Sequence, residues 1–162
     1  MSKRSSSSLG STILVLLFLI LVQATGAIAG FWLPAIAPAV GNDLRLDPAL
    51  IAYPVLVLYV FAMASSLAAE GLLARFGAWR TSQIALCVFA LSHLVIMTGS
   101  LAAIFLGSVI LGCAYGLITP AASKILTMIV TSSNRNFFFS VRFTGVPIGG
   151  FAAGLIAPAI AI

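Results

Sequence analysis

Long apolar runs separated by short polar stretches make up nearly all of this chain. Five runs have the length of a membrane-spanning helix, about 20 residues, and they cover roughly residues 12–38, 50–69, 83–98, 101–130 and 137–162. They lack the alternation of apolar and polar residues that is typical of a barrel strand. Because an open sheet edge cannot face lipid, the pattern predicts an all-α, polytopic membrane helical bundle.

The polar stretches predict how the helices are connected. Residues 1–10 are rich in serine and basic, and we expect a disordered cytoplasmic tail ahead of one bundle over residues 11–162. A cleaved signal peptide is the alternative, because a basic pair precedes an apolar run with an A-x-A-like site at Ala27 and Ala29. The expected connections are loops over residues 41–49, 70–82 and 131–136 and a tight turn at Gly99 and Ser100.

Composition points to lipid as the solvent of the bundle. The 162 residues are 62% hydrophobic and 7% charged, whereas soluble domains are about 45–50% apolar and about 25% charged. No single core hides this much apolar surface from water. Five helices with short loops also leave no room for a soluble domain.

The charges predict the orientation of the bundle. The formal net charge is +5, but the basic residues are scattered at segment ends, so no nucleic-acid partner is expected. One side of the predicted membrane collects most of them, namely Lys3, Arg4, Arg75, Arg80 and Arg135. The positive-inside rule places this side, and the N-terminus, in the cytoplasm. An odd number of spans and an apolar chain end lead us to expect a piece of a longer protein.

No set of residues predicts catalysis, a metal or a cofactor. Glu70 is the only glutamate, no Ser-His-Asp arrangement is apparent, and the glycine-rich phosphate loop of nucleotide-binding proteins is absent. Cys87 and Cys113 lie inside apolar runs without metal-binding spacing. We therefore expect a protein that is not an enzyme and that needs no cofactor.

Four polar side chains inside the apolar runs, Gln23, Tyr115, Lys124 and Arg142, are candidates for a solute pathway, and His93 is considered beside them as a titratable group. Gln23 lies in the middle of the first run and must find a partner there, and Tyr115 lies in the fourth. Lys124 either extends to the membrane surface or lines a cavity. Arg142 is either an interfacial anchor or a charge that attracts an anion to the inner mouth of a pathway. His93 is either hydrogen-bonded within the bundle or a proton relay.

Glycines spaced four residues apart recur in three of the predicted helices. Such spacing lets helix backbones approach closely, which is a main source of packing energy in lipid. Tight packing in any membrane bundle explains these pairs as well as transport does. The pairs are Gly26 and Gly30, Gly112 and Gly116, Gly145 and Gly149, and Gly150 and Gly154.

Three stretches are similar, in order and spacing, to motifs of one protein family. The stretch EGLLARFGAWR resembles the family pattern G-x-L-A-D-R-x-G-R-R at Arg75, Gly77 and Arg80. The family's aspartate falls on Ala74, and its first glycine falls on Glu70, which is a candidate to replace the missing carboxylate.

The other two stretches lie in the fourth and fifth predicted helices. The fourth resembles the pattern R-x-x-x-G-x-x-x-G-x-x-x-P, with the family's arginine replaced by Ser108. The fifth, TGVPIGGFAAG, resembles the family's glycine–proline "antiporter" motif. The matching positions are Gly112, Gly116 and Pro120 in the fourth helix and Gly145, Pro147, Gly149, Gly150 and Gly154 in the fifth.

Together these stretches resemble the N-terminal half of a major facilitator superfamily transporter, over residues ~12–162. The surroundings of the fifth helix are similar to a bacterial subgroup, which implies a bacterial inner-membrane location. The resemblance implies twelve helices in two halves, a substrate site between the halves near the midplane, and secondary transport by alternating access.

The resemblance also implies roles for the candidate residues. The first and fourth helices line the cavity of the family, which favours Gln23, Tyr115 and Lys124 over His93. The expected cargo is a small solute, anionic if Lys124 and Arg142 face its path. Proton coupling stays open, because Ser108 stands where the family has an arginine.

Three hypotheses for the whole chain follow. The first is an incomplete secondary carrier that needs its C-terminal half and does not transport alone. The second is a non-transporting small membrane protein or a gene remnant. The third is a half-size subunit that works only after joining a second subunit.

Overall fold

The computed structural model describes residues 9–160, and most of these residues are helical. The first helix starts at Leu9, inside the predicted tail 1–10, and residues 1–8 of that tail lie outside the described residues. The helices are α1 (Leu9–Ala35), α2 (Ala37–Leu44), α3 (Ala52–Phe76), α4 (Ala78–Ile96), α5 (Leu101–Ile129), α6 (Arg135–Phe143) and α7 (Gly145–Ile160), with a 3₁₀ turn at Pro48–Ile51. Residues 9–160 contain no strand, and the predicted all-α bundle is confirmed.

Within the described residues, five helical stretches are long and apolar enough to cross a membrane. The stretches are Gly10–Ala35, Ala49–Phe76, Ala78–Ile96, Leu101–Ile129 and Arg135–Ile160. Large apolar side chains such as Leu14, Leu67 and Phe151 are 69%, 82% and 71% exposed on their outer faces. A helix that is apolar all round suits lipid rather than water, so the chain is an integral membrane bundle.

Helix α5 is the inner helix of the bundle. It packs most extensively against α3 and α4, while α1 packs against α7. Of the residues in its membrane window, 56% are buried, whereas the figure for Arg135–Ile160 is 17%. Polar side chains that contact α5 therefore lie toward the inside of the bundle.

The predicted loop over residues 70–82 is wrong. Helix α3 continues to Phe76 and α4 begins at Ala78, so only Gly77 separates them. Gly77 has φ +78° and ψ 161°, a backbone region that is essentially restricted to glycine. The polar residues of this stretch do not interrupt a helix, because a helix end at a membrane surface accommodates charged side chains.

The predicted first helix and the loop after it also differ from the structure. The long helix ends at Ala35 rather than near residue 38, and α2 then covers part of the predicted loop 41–49. Pro38 lies in the first turn of α2, where its missing N–H costs no hydrogen bond. The side chain of Asp47 accepts a hydrogen bond from the N–H of Ala49 at 2.9 Å and so starts the 3₁₀ turn.

The last two spans lie close to their predicted bounds. Gly99 has φ +76°, and the hydroxyl of Ser100 accepts a hydrogen bond from the N–H of Ala103 at 3.1 Å, which caps α5. The fifth span is not one helix, since it is interrupted at Thr144 between α6 and α7. Pro147 has no N–H for the carbonyl of Phe143, which accounts for an interruption at this point.

Candidate functional site

Glycines bring α7 into direct backbone contact with α1. A methyl group added to Gly145 would lie 2.5 Å from the carbonyl oxygen of Ile20, and one added to Gly149 would meet the carbonyl oxygen of Ala24. Gly150 faces the ring of Phe31 at ordinary contact distance, and Gly154 has no neighbour within 4 Å. Only the first pair of this motif therefore serves close packing in the structure.

A second glycine contact joins α5 to α3. Methyl groups added to Gly112 and Gly116 would meet the carbonyl oxygens of Leu58 and Ala62. The hydroxyl of Ser65 donates a hydrogen bond to the carbonyl of Gly112 at 3.3 Å across the same contact. Pro120 follows one turn later, so the carbonyl of Gly116 lacks its usual helical donor.

Arg142 is the only charged side chain that is buried among the described residues. It is the last-turn arginine of α6, and its exposed fraction is 0%. Its Nη1 group donates to the carbonyl oxygen of Thr119 and to the hydroxyl of Ser123, both at 3.3 Å on α5. Arg142 thus packs inside the bundle rather than extending from its surface.

Two aromatic rings lie beside the same guanidinium. Its central carbon is 4.4 Å from the ring centroid of Phe143 and 5.9 Å from that of Phe139. Contacts of this kind stabilise a cation by roughly 0.5–2 kcal/mol. They do not use its N–H groups, and the Nε and Nη2 atoms of Arg142 are buried without a hydrogen-bond partner within residues 9–160.

Gln23 lies in the helix that packs beside Arg142. Its side chain is 6% exposed, and its Oε1 atom is buried without a hydrogen-bond partner in the described structure. The Cβ atom of Gln23 would be 3.0 Å from a methyl group added to Gly145, which follows Arg142 by three residues. Gln23 and Arg142 therefore occupy neighbouring levels of the bundle.

Tyr115 lies on the same helix as the partners of Arg142 but nearer to the N-terminal end of that helix. Four residues of helix, or about 6 Å along the axis, separate Tyr115 from Thr119. The Tyr115 ring packs edge-on against Tyr59 with centroids 6.1 Å apart, and it covers Gly30 on α1. The structure thus places Tyr115 on an α1–α3–α5 contact rather than at the arginine.

Lys124 and His93 do not join this cluster. Lys124 is exposed, although the next residue toward the N-terminus, Ser123, contacts Arg142. Its exposure fits a side chain that extends to the membrane surface. The ring of His93 stacks on Trp32 with centroids 5.3 Å apart, and its Nδ1 lies 2.8 Å from the carbonyl oxygen of Phe89.

The residues expected to form a conformational loop lie on both sides of Gly77, at the end of α3 and the start of α4. Glu70, Arg75 and Arg80 are all exposed, and the structure gives Glu70 no ion pair with either arginine. The guanidinium of Arg75 lies 5.3 Å from the ring centroid of Phe76 instead. Their role in a conformational cycle stays a prediction.

Sequence reasoning singled out Arg142 but missed its partners. Thr119 and Ser123 are four residues apart on α5, and this spacing puts them on one helix face. That spacing was the available signal, together with the phenylalanines at positions 139 and 143. Groups of three or more residues able to hold a metal ion are absent from the described part of the chain.

Comparisons of the chain with protein-family models, with curated proteins and with solved structures give no match. A functional hypothesis must therefore rest on the geometry around Arg142 and on the sequence motifs.

Proposed function

We propose that this chain belongs to a secondary carrier that moves a small anionic solute across a membrane by alternating access. The observation that carries the proposal is Arg142, a fully buried cation within a membrane-spanning stretch. Its hydrogen-bond partners among residues 9–160 are the neutral oxygens of Thr119 and Ser123. Ionisable groups inside a membrane are rare and mark ion or substrate pathways.

A purely structural role explains Arg142 poorly. A buried charge without a counter-ion costs several kcal/mol, and an apolar residue of similar volume is often as stabilising or more so. The two hydrogen bonds to neutral oxygens offset part of that cost. The Nε and Nη2 atoms are buried without a partner, so the cost of removing them from water is not offset. An anion that binds transiently during transport supplies the missing counter-charge.

The helix contacts also suit a protein that moves. Glycine contacts join α1 to α7, and they join α5 to both α3 and α4, so each of these two groups can shift as a unit. Interruptions at Thr144 and Gly77 supply points at which one helix can turn relative to the next. Rigid movement of packed helices about such points is the usual basis of alternating access.

The family assignment is part of this proposal. The order of the motifs around Arg75, Gly112 and Gly145 supports a carrier of the major facilitator type, located in a bacterial inner membrane. In such a carrier, a second half or a second subunit completes the solute site. Proton coupling remains a hypothesis within it, with Ser108 in place of the family's arginine.

Exchange of labelled solutes in liposomes tests the proposal. The complete gene product is reconstituted, and counterflow is measured for small organic acids, neutral sugars and amines, with protein-free liposomes as the control. We expect counterflow of at least one organic acid. No counterflow of any solute would favour a non-transporting membrane protein, and counterflow of only neutral or cationic solutes would exclude the proposed role of Arg142.

A further inference from the structure

The hydrogen bonds of Arg142 occupy one side of its guanidinium and leave the other side unused. Nη1 makes both contacts, with Thr119 and Ser123, while Nε and Nη2 make none. The Nε–H and one Nη2–H point in the same direction, because Nη2 is the terminal nitrogen trans to Cδ. This edge matches the two oxygens of a carboxylate through two parallel hydrogen bonds.

Within residues 9–160, no carboxylate meets this edge. The three acidic side chains of the chain are Asp43, Asp47 and Glu70. All three are exposed, and Nε and Nη2 of Arg142 contact none of them. The counter-ion of Arg142 must therefore come from outside residues 9–160.

The charge balance favours a monoanion. No second charged side chain is buried among the described residues, so one positive charge is available. A singly charged carboxylate neutralises it, whereas a doubly charged phosphate would leave an excess negative charge in an apolar surrounding. The rings of Phe139 and Phe143 provide apolar contact beside the guanidinium.

We propose that the Nε–Nη2 edge of Arg142 binds the carboxylate of a small monoanionic solute, while Thr119 and Ser123 hold the guanidinium in position. That the bound anion is the transported solute rests on the proposed carrier function. The edge is closed to solvent in this structure, so the bundle must open before the anion reaches it.

Side-chain nuclear magnetic resonance tests this binding directly. The complete protein, with ¹⁵N-labelled arginine, is placed in phosphatidylcholine nanodiscs and titrated with sodium acetate against sodium chloride at constant ionic strength. Arg142→Lys, which keeps the charge but lacks the edge, identifies the Arg142 signal by its loss. We expect acetate to move the Nε–H signal of Arg142 downfield to saturation and chloride to leave it in place.

Thermal unfolding provides a second measurement on the same samples. Acetate should raise the unfolding midpoint of the wild type and of Arg135→Lys, a matched change at an exposed arginine of α6, but not that of Arg142→Lys. Equal responses to acetate and chloride would overturn the inference. A response of the Arg142 signal and of the midpoint to added phosphatidylglycerol, with none to acetate, would also overturn it, because the bound anion would then be a lipid headgroup.

The two proposals fail in different ways. Acetate binding at Arg142 without any solute counterflow would remove the carrier function and retain the carboxylate site. Counterflow of an organic acid without a response of the Arg142 signal would retain the carrier and remove this site.

Discussion

A guanidinium inside an apolar bundle is stabilised or destabilised by what surrounds it. Arg142 gains two hydrogen bonds and the contact of two aromatic rings, but the described part of the chain gives its charge no counter-ion. In a medium of low dielectric, the free-energy cost of burying an uncompensated charge is larger than the gain from hydrogen bonds to neutral oxygens. Selection for stability alone would favour an apolar residue at this position.

Replacement of Arg142 by methionine should therefore stabilise the bundle. Arg142→Met removes the buried charge and leaves Ser123 free to donate to the Thr119 carbonyl of its own helix. We expect a higher unfolding midpoint than that of the wild type in acetate-free nanodiscs, measured by circular dichroism. A lower midpoint would show that Arg142 is a structural residue.

The sequence predicted only part of this cluster, for a physical reason. A charge in an apolar run is conspicuous, so Arg142 was identified. Serine and threonine in an apolar helix usually bond to their own backbone, and neither Thr119 nor Ser123 stands out. Lys124 was predicted as a pathway candidate, but one residue is a rotation of about 100° around a helix, and its side chain faces outward.

At the scale of the helices, apolar length predicted the number of spans and polar composition did not predict their ends. The runs at 50–69 and 83–98 are flanked by charged residues that belong to α3 and α4 in the structure. Hydropathy marks where a helix meets lipid, whereas a helix ends where a residue such as Gly77 leaves helical geometry. The glycine spacing predicted close contacts, but only the structure separates Gly149 from Gly154.

The contact between α1 and α7 can be tested with a matched glycine pair. Gly149→Ala would place a methyl group against the carbonyl of Ala24 and 2.8 Å from the Cβ of Ala27, whereas Gly154→Ala meets nothing within 4 Å. Overpacking of this kind costs about 1–3 kcal/mol. We expect a lower unfolding midpoint for Gly149→Ala and an unchanged midpoint for Gly154→Ala. Equal midpoints would mean that α1 and α7 do not touch at Gly149.

At the scale of the molecule, the bundle has a predicted orientation that follows from charge. Arg75, Arg80 and Arg135 lie at one end of the five spans, and the acidic residues Asp43 and Asp47 follow the first span at the other end. The positive-inside rule places the arginine-rich end in the cytoplasm.

Cysteine labelling in intact cells checks this orientation. In a background with Cys87 and Cys113 replaced by serine, a membrane-impermeant maleimide should label Asp47→Cys and should label Ser133→Cys only after the cells are opened. Labelling of Ser133→Cys in intact cells, with protection of Asp47→Cys, would reverse the orientation.

Transport by the complete protein tests the central claim most directly, since that claim joins the buried arginine to the passage of an anion. The initial rate of labelled organic-acid uptake is measured in liposomes that contain the wild type, Arg142→Lys or Arg135→Lys at equal protein content. Loss of a bidentate charge-assisted contact predicts a rate at least about tenfold lower for Arg142→Lys and a wild-type rate for Arg135→Lys. Wild-type uptake by Arg142→Lys would contradict the account.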